Sequence, residues 1–169
     1  HFSAAVSGDG KKFLMNRKGQ HFGSVKASDL LLLDASDSSV MQTADAPDAS
    51  AWAIHGTIHR MRPDVRVVIH AHTPYATALA TLKDPRLQPL DNNTARFWGA
   101  VGIDLGFGGI ADAAEEGERL AEALGHNSCF MVGNHGVTVT ARSVALAFEK
   151  LYFFEKAAQT MVLAYSTGQ

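Results

Sequence analysis

Residues 64–74 read DVRVVIHAHTP, a mostly apolar run that ends in His70, His72 and a Thr-Pro turn. The run is rich in β-branched residues and predicts a strand that carries both histidines at its carboxyl end. Because alternate strand residues point to the same face, both imidazoles can face one cleft. A third histidine, His135, follows the apolar run Cys129–Val132 in a Gly-Asn-His-Gly turn. Three neutral imidazoles with room for a further ligand are typical of a catalytic divalent-metal site.

The remaining sequence alternates strand-like runs with helical patterns and predicts an α/β fold. We expect a single layered domain over residues 1–169, with a central β-sheet flanked by helices. Since the chain opens without methionine, we also expect that an N-terminal segment is missing. In the first half we predict a hairpin around residues 7–10, a strand at 30–33, a helix from Asp48 or Ser50 with Ala51, Ile54, Ile58 and Met61 at helical spacing, and a strand at 65–71. In the second half we predict a helix at 76–82, a loop-rich stretch at 84–109, a helix capped by Asp112 and Glu115 that ends at Gly125, and strands at 129–133 and 137–140. A long helix follows Ser143, with Val144, Ala147, Leu151 and Phe154 on one face.

The composition favours a globular protein. Of 169 residues, 46% are hydrophobic and 19% are charged, and the net charge is -2, so nucleic acid and anionic membranes are not expected partners. No apolar run approaches the roughly 20 residues of a membrane span. The single cysteine, Cys129, lies in an apolar run, which favours a reduced, buried thiol in a cytoplasmic protein.

The two histidine motifs, residues 64–74 and 133–137, resemble those of the class II aldolase/adducin family, and the resemblance extends over nearly the whole chain. It implies a sheet of about nine strands sandwiched by helices. It also implies a homo-oligomer, usually a tetramer with sites at subunit contacts. A divalent metal ion is implied on His70, His72 and His135, most often zinc, with manganese or iron as alternatives.

One departure from the family pattern concerns its acid/base residue. In the sugar-phosphate aldolases of this family a glutamate begins the helix before the histidine strand, and here that position is Ala51. Of the two phosphate-binding serines that precede it, only Ser50 remains, because the other position is Ala49. A conventional sugar-phosphate aldolase is therefore not the expected activity.

Decarboxylation fits this departure, because loss of carbon dioxide generates a carbanion without a general base. The hypothesis is a metal-dependent carbon–carbon lyase that acts on a small anionic carboxylated or hydroxy-keto substrate through a metal-stabilised enolate. The alternatives are an adducin-like interaction module, a metal-dependent oxygenase or isomerase on the same histidines, and a fold that binds metal only structurally.

The other candidate residues each have a structural explanation as well. Tyr75 is a candidate proton donor, or a helix-start aromatic that packs on the sheet. Asp48 is a candidate acid/base one turn before Ala51, or a helix cap. The candidates for binding the substrate anion are Lys18, Ser50 and Arg96, of which Arg96 is more simply explained by packing. A further pair, His55 and His59, has metal-capable helical spacing, but packing beside the core is the favoured prediction.

Overall fold

The computed structural model describes residues 1–44, 46–106 and 114–168, with side chains from residue 116 in the last range. Along the chain the elements are β1 (Phe2–Ala5), β2 (Lys12–Met15), β3 (Leu31–Asp34), α1 (the continuous segments Ala49–Ala51, Trp52–Gly56 and Thr57–Met61), β4 (Val67–Ala71), α2 (Pro74–Ala80), α3 (Asn92–Phe97), β5 (Val101–Asp104), α4 (Ala114–Leu124), β6 (Cys129–Val132), β7 (Gly136–Ala141) and α5 (Val144–Ser166).

The strands of the described ranges form a seven-stranded sheet with the order β3-β2-β1-β4-β7-β6-β5. The α/β prediction is confirmed, although the resemblance implies about two more strands than these ranges contain. The described residues divide into two compact units. The first contains residues 1–44, 46–68, 114–122 and 141–144, and the second contains 69–106, 123–140 and 145–168, so that β4 contributes to both.

The first unit is built on the antiparallel strands β1, β2 and β3. Phe13 and Met15 alternate with exposed or half-exposed neighbours along β2, which gives the sheet one apolar face. Helix α1 contributes Ala51 to that face, where the residue is 2% exposed. The buried cluster consists of Phe13, Met15, Leu31, Leu33, Ala35 and Ala51.

Two histidines of α1 are buried in the same unit. Ser3 Oγ lies 2.7 Å from His55 Nδ1 and 2.8 Å from His59 Nε2, so one hydroxyl joins both rings. Phe13 stacks on His59 with ring centroids 4.5 Å apart. Burial, together with the nearby Arg66, lowers the pKa of His59 to about 4. These histidines are core residues, as the sequence analysis favours.

The second unit has a mixed sheet. Strand β5 is parallel to β6, which is antiparallel to β7. Helices α2 and α5 pack on these strands, with Leu79 and Phe154 fully buried between them. Cys129 is buried in this core, and burial raises the pKa of its thiol to about 12, as expected for an inert structural cysteine. Among the helices of the described ranges, none combines the length and apolar character that a membrane span needs.

The prediction of a loop-rich stretch at 84–109 is wrong for two short elements, α3 and β5. Helix α3 has only six residues and begins with a capping box in which Asp91 and Thr94 bond reciprocally. Strand β5 contains Gly102, where an added Cβ would lie 2.7 Å from the Ala123 carbonyl oxygen. That glycine marks a close backbone approach inside a strand rather than a loop.

Two residues of the predicted helix patterns are exposed rather than part of the core. Met61 is 42% exposed, because the middle of α1, Trp52–Gly56, is π-helical and shifts the phase of the last turn. Val144, the first residue of α5, is 57% exposed. Of the predicted cap on α4, Asp112 lies outside the described residues; the helix itself ends before Gly125, whose φ is 52°.

Candidate metal centre

The three predicted ligands come together in the second unit. His70 is the fourth residue of β4, and His72 follows the end of the strand. His135 lies in the tight turn between β6 and β7, where Asn134 adopts a left-handed φ of 56°. Asparagine is one of the few side chains that tolerate this conformation. The turn therefore brings His135 to the carboxyl end of β4, although the two segments are far apart in the sequence.

We refer to His70, His72 and His135 as the three-histidine cluster. One ligand nitrogen from each ring lies within 4.8 Å of the others. The Nε2 atoms of His70 and His72 are 2.9 Å apart. Two nitrogens that share a tetrahedral zinc ion are about 3.3 Å apart. The His70–His72 pair therefore needs to open by only a few tenths of an ångström to share an ion, and a set of three imidazole nitrogens within 4.8 Å of one another fits a divalent ion.

Thr138 on β7 orients the buried ring of the cluster. Its Oγ1 lies 3.1 Å from His70 Nδ1. In the tautomer with the proton on Nδ1, the ring donates to Thr138 and its Nε2 lone pair is left to ligate. Such outer partners fix the orientation and basicity of a histidine ligand. Thr138 could not be predicted from the sequence, because a threonine in a strand carries no signal of this role.

The electrostatics of the cluster favour neutral imidazoles. Burial is the main cause that lowers the pKa of His70 well below its ordinary value, with His135 and His72 adding to it. Burial also lowers the pKa of His135 and of His72. The neutral form is the form that ligates metals. In the described residues no carboxylate belongs to the cluster, so a bound divalent ion keeps its charge near +2 and favours an anionic ligand.

Because Gly136 has no side chain, the His72 ring can occupy the space beside it. A Cβ at this position would lie 2.7 Å from His72 Cδ2 and 2.6 Å from the Ala71 carbonyl oxygen. Its φ lies outside the left-handed region, so the constraint is steric rather than conformational. The second glycine of the Gly-Asn-His-Gly turn, Gly136, therefore allows β7 to approach closely to the end of β4 that carries His72.

Substituting Thr138 by valine is expected to weaken metal binding about tenfold, because the Nδ1–H of His70 loses its acceptor and the ring loses its fixed orientation. Metal affinity is measured by competition with a chromogenic chelator. Thr140→Val, at a second buried threonine on β7, controls for the loss of a buried hydroxyl. Equal affinities for the two variants would show that Thr138 does not orient the ligand.

Lys18, Asp48 and Ser50 lie together in the first unit. Asp48 caps α1, accepting bonds from Ser50 N at 3.0 Å and from Ser50 Oγ at 2.6 Å, and Lys18 Nζ is 3.7 Å from it. The Ser50 hydroxyl is the largest cause that lowers the pKa of Asp48. A surface cleft of about 500 Å³ in this unit is lined by Arg17 and Lys18. Asp48 thus has a sufficient structural role, while the two cations face a cleft that suits an anion.

Tyr75 and Arg96 lie in the second unit. Tyr75 is half-buried, and its side chain packs against the core of that unit. Arg96 is 3.0 Å from Glu149, and its guanidinium lies 5.3 Å from the ring centroid of Phe153. These contacts match the packing role that the sequence analysis favours for Arg96.

Comparison with known proteins gives a consistent result. The profile described as the class II aldolase and adducin N-terminal domain matches residues 1–162. An aldolase class 2 protein of Caulobacter vibrioides is 29% identical over 169 residues, which are the whole chain and 65% of that protein. The decarboxylase NovR of Streptomyces niveus is 26% identical over 148 residues, covering 88% of the chain and 54% of that protein. The chain therefore spans less than two thirds of the length of these relatives.

A solved structure gives the same result for the fold. The aldolase II superfamily protein from Pseudomonas syringae superposes with a TM-score of 0.87 at 33% identity, covering 99% of the chain and 67% of that structure.

Proposed function

The chain belongs to the class II aldolase and adducin family, and from this premise we propose that it is a divalent-metal-dependent carbon–carbon lyase of the decarboxylase type. Its substrate is a small anionic carboxylated compound. The observation that carries the proposal is the three-histidine cluster, whose neutral rings place three nitrogens within 4.8 Å of one another. The decarboxylase among its relatives supports the same class of reaction.

The proposed centre uses all three histidines as ligands, with zinc as the proposed ion and manganese or iron as alternatives. A bound ion would supply Lewis-acid chemistry, polarising the oxygens of the substrate. His70 is held by Thr138, and the low pKa of each ring keeps its nitrogen unprotonated at neutral pH. The absence of a carboxylate among these ligands favours an anionic substrate over a neutral one.

Decarboxylation suits the side chain at position 51 better than aldol cleavage does. Ala51 has no proton to transfer and is buried among apolar side chains of the first unit. Retro-aldol cleavage starts by removing a hydroxyl proton, whereas loss of carbon dioxide leaves the electron pair on carbon without a base. A proton must then be delivered to that carbon, and we propose Tyr75 as the donor. Asp48 is the weaker candidate, because its hydrogen bond from Ser50 lowers its pKa and favours the carboxylate.

We propose that Lys18 and Ser50 bind the substrate anion, and the cleft lined by Arg17 and Lys18 supports the role of Lys18. Arg96 can take part only if its ion pair with Glu149 opens. We further propose that the whole protein is a cytoplasmic homo-oligomer, a tetramer as in the resemblance, and that residues 1–169 act as one domain of it.

The test starts with elemental analysis of protein purified without chelator or affinity metal, beside His135→Ala. We expect about one zinc or manganese ion per chain in the unsubstituted protein and less than about a tenth in the variant. Iron instead would favour oxygenase chemistry on the same ligands. Less than about a tenth of an ion per chain, not restored by added zinc, manganese or iron, would contradict the proposal.

The reaction is tested on metal-loaded protein with a panel of aromatic, heteroaromatic and hydroxy-keto acids. We expect release of carbon dioxide from at least one acid, and loss of that release in His135→Ala. Aldol cleavage without carbon dioxide release would instead indicate an aldolase. If neither reaction occurs across the panel, the lyase proposal fails.

A further inference from the structure

Glu155 on α5 contacts the segment that directly follows the ligand His72. Its carboxylate accepts three hydrogen bonds, from Thr73 Oγ1 at 2.6 Å, from Tyr75 N at 2.9 Å and from Ala76 N at 2.9 Å. Thr73 is the N-cap residue of α2, yet its side chain makes no capping bond to its own helix. The cap of α2 is therefore supplied by a side chain 79–82 residues farther along the sequence.

This arrangement places a negative charge where a helix stabilises it. The backbone N–H groups at the start of α2 lack intrahelical partners, and the N-terminus carries a partial positive charge. Charge-assisted bonds of this kind are shorter and stronger than neutral ones. One carboxylate thus fixes the backbone of Tyr75 and Ala76 and the side chain of Thr73 at the same time.

The candidate ligands His70 and His72 differ in how their positions are fixed. His70 is buried, and its Nδ1 is held by Thr138. His72 is exposed, so core packing does not fix its ring on all sides. Its backbone leads within one residue into Thr73, whose hydroxyl bonds to Glu155. Ligands of a functional site need a supporting set of contacts to hold them in register.

We propose that Glu155 is a positioning residue for the metal centre, which holds His72 in ligating geometry by anchoring the Thr73–Ala76 turn. The proposal rests on the proposed metal site. Glu155 lies on α5, outside both histidine motifs, and neither motif indicates this role. The carboxylate does not touch the metal or the substrate and acts only through the backbone that it holds.

The test compares Glu155→Gln with Glu149→Gln, the same substitution on the same helix at the exposed ion pair with Arg96. Glu155→Gln keeps one acceptor oxygen but replaces the other by an NH₂ donor, which cannot accept from the Thr73–Ala76 turn. We expect its Co²⁺ affinity, measured by chelator competition, to fall about tenfold, with a changed visible absorption spectrum of the bound Co²⁺. Glu149→Gln should change the affinity by less than about twofold.

A purely structural role for Glu155 predicts a lower melting temperature of the metal-free protein, but unchanged Co²⁺ affinity and spectrum at temperatures where the variant is folded. That result would overturn the inference and leave the proposed metal site intact. If the unsubstituted protein itself does not bind Co²⁺, the proposed metal site fails and the inference fails with it.

Thr73→Val keeps the test decisive if Glu155→Gln does not fold. It removes only the hydroxyl bond to Glu155 and leaves both backbone bonds in place. We expect about a threefold loss of Co²⁺ affinity, smaller than that of Glu155→Gln because both backbone bonds remain. An affinity equal to that of the unsubstituted protein would overturn the inference.

Discussion

Gly136→Ala is expected to abolish tight metal binding and to destabilise the second unit. The added methyl group would lie 2.6 Å from the Ala71 carbonyl oxygen and 2.7 Å from His72 Cδ2, so β4 or the His72 ring must move. A backbone oxygen cannot yield as a flexible side chain does. Overpacking of this kind costs about 1–3 kcal/mol in the free energy of unfolding. We expect a loss of metal affinity of at least about a hundredfold, because a ligand is displaced directly.

The measurements are urea unfolding of the metal-free protein and chelator competition with zinc. Gly8→Ala is the matched control, since a Cβ there meets no atom within 4 Å. It should leave both quantities unchanged. Retention of full zinc affinity in Gly136→Ala would show that His72 has room to move without leaving the cluster.

Acidification between pH 6.5 and 4 is expected to reduce the stability of the protein through His59. Its pKa is lowered to about 4 by burial in the folded chain, whereas a histidine in the unfolded chain has a pKa of about 6.5. In this window the unfolded state binds more protons, so stability rises with pH. The contribution of the neutral His59 ring to the free energy of unfolding is fully present above about pH 6.5 and is lost as the pH falls to about 4. This difference in pKa between the folded and the unfolded chain corresponds to about 3 kcal/mol in the free energy of unfolding.

The measurement is the free energy of urea unfolding from pH 4 to pH 7.5 for the unsubstituted protein and for His59→Gln. The glutamine amide can replace the ring nitrogen that bonds Ser3 Oγ, but it does not titrate. We expect a shallower pH dependence in this variant. His21→Gln, at an exposed loop histidine, should follow the unsubstituted protein. Parallel curves for all three proteins would exclude His59 as the cause.

Much of the fold follows from patterns that the sequence displays locally. The hairpin of β1 and β2, the strand that carries His70 and the strands around His135 all have apolar runs bounded by turn residues. Elements defined by partners distant in sequence could not be predicted in this way. Strand β5 is four residues long and contains a glycine that only its neighbour Ala123 explains.

The residues of the candidate site likewise fall into two groups, those that local sequence patterns indicate and those defined by contacts distant in sequence. The proximity of His70, His72 and His135 could be predicted because metal-ligand chemistry limits the residue types and the strand period places two of them on one face. Thr138 and Glu155 could not, since a threonine in a strand and a glutamate in a helix are ordinary there. Their roles arise from contacts across 68 and 79–82 residues of sequence.

The turn that carries His135 also links the metal to folding. His72 and His135 are 63 positions apart in the sequence, so His135 joins the neighbouring pair His70 and His72 only when the chain folds. Closing a loop of that length costs about 4 kcal/mol of chain entropy, which the native fold has already met. An ion bound at the proposed metal centre would therefore favour the folded chain, and a free ion concentration about a thousandfold above Kd would add about 4 kcal/mol to its stability. The free energy of unfolding should then rise with the concentration of free cation.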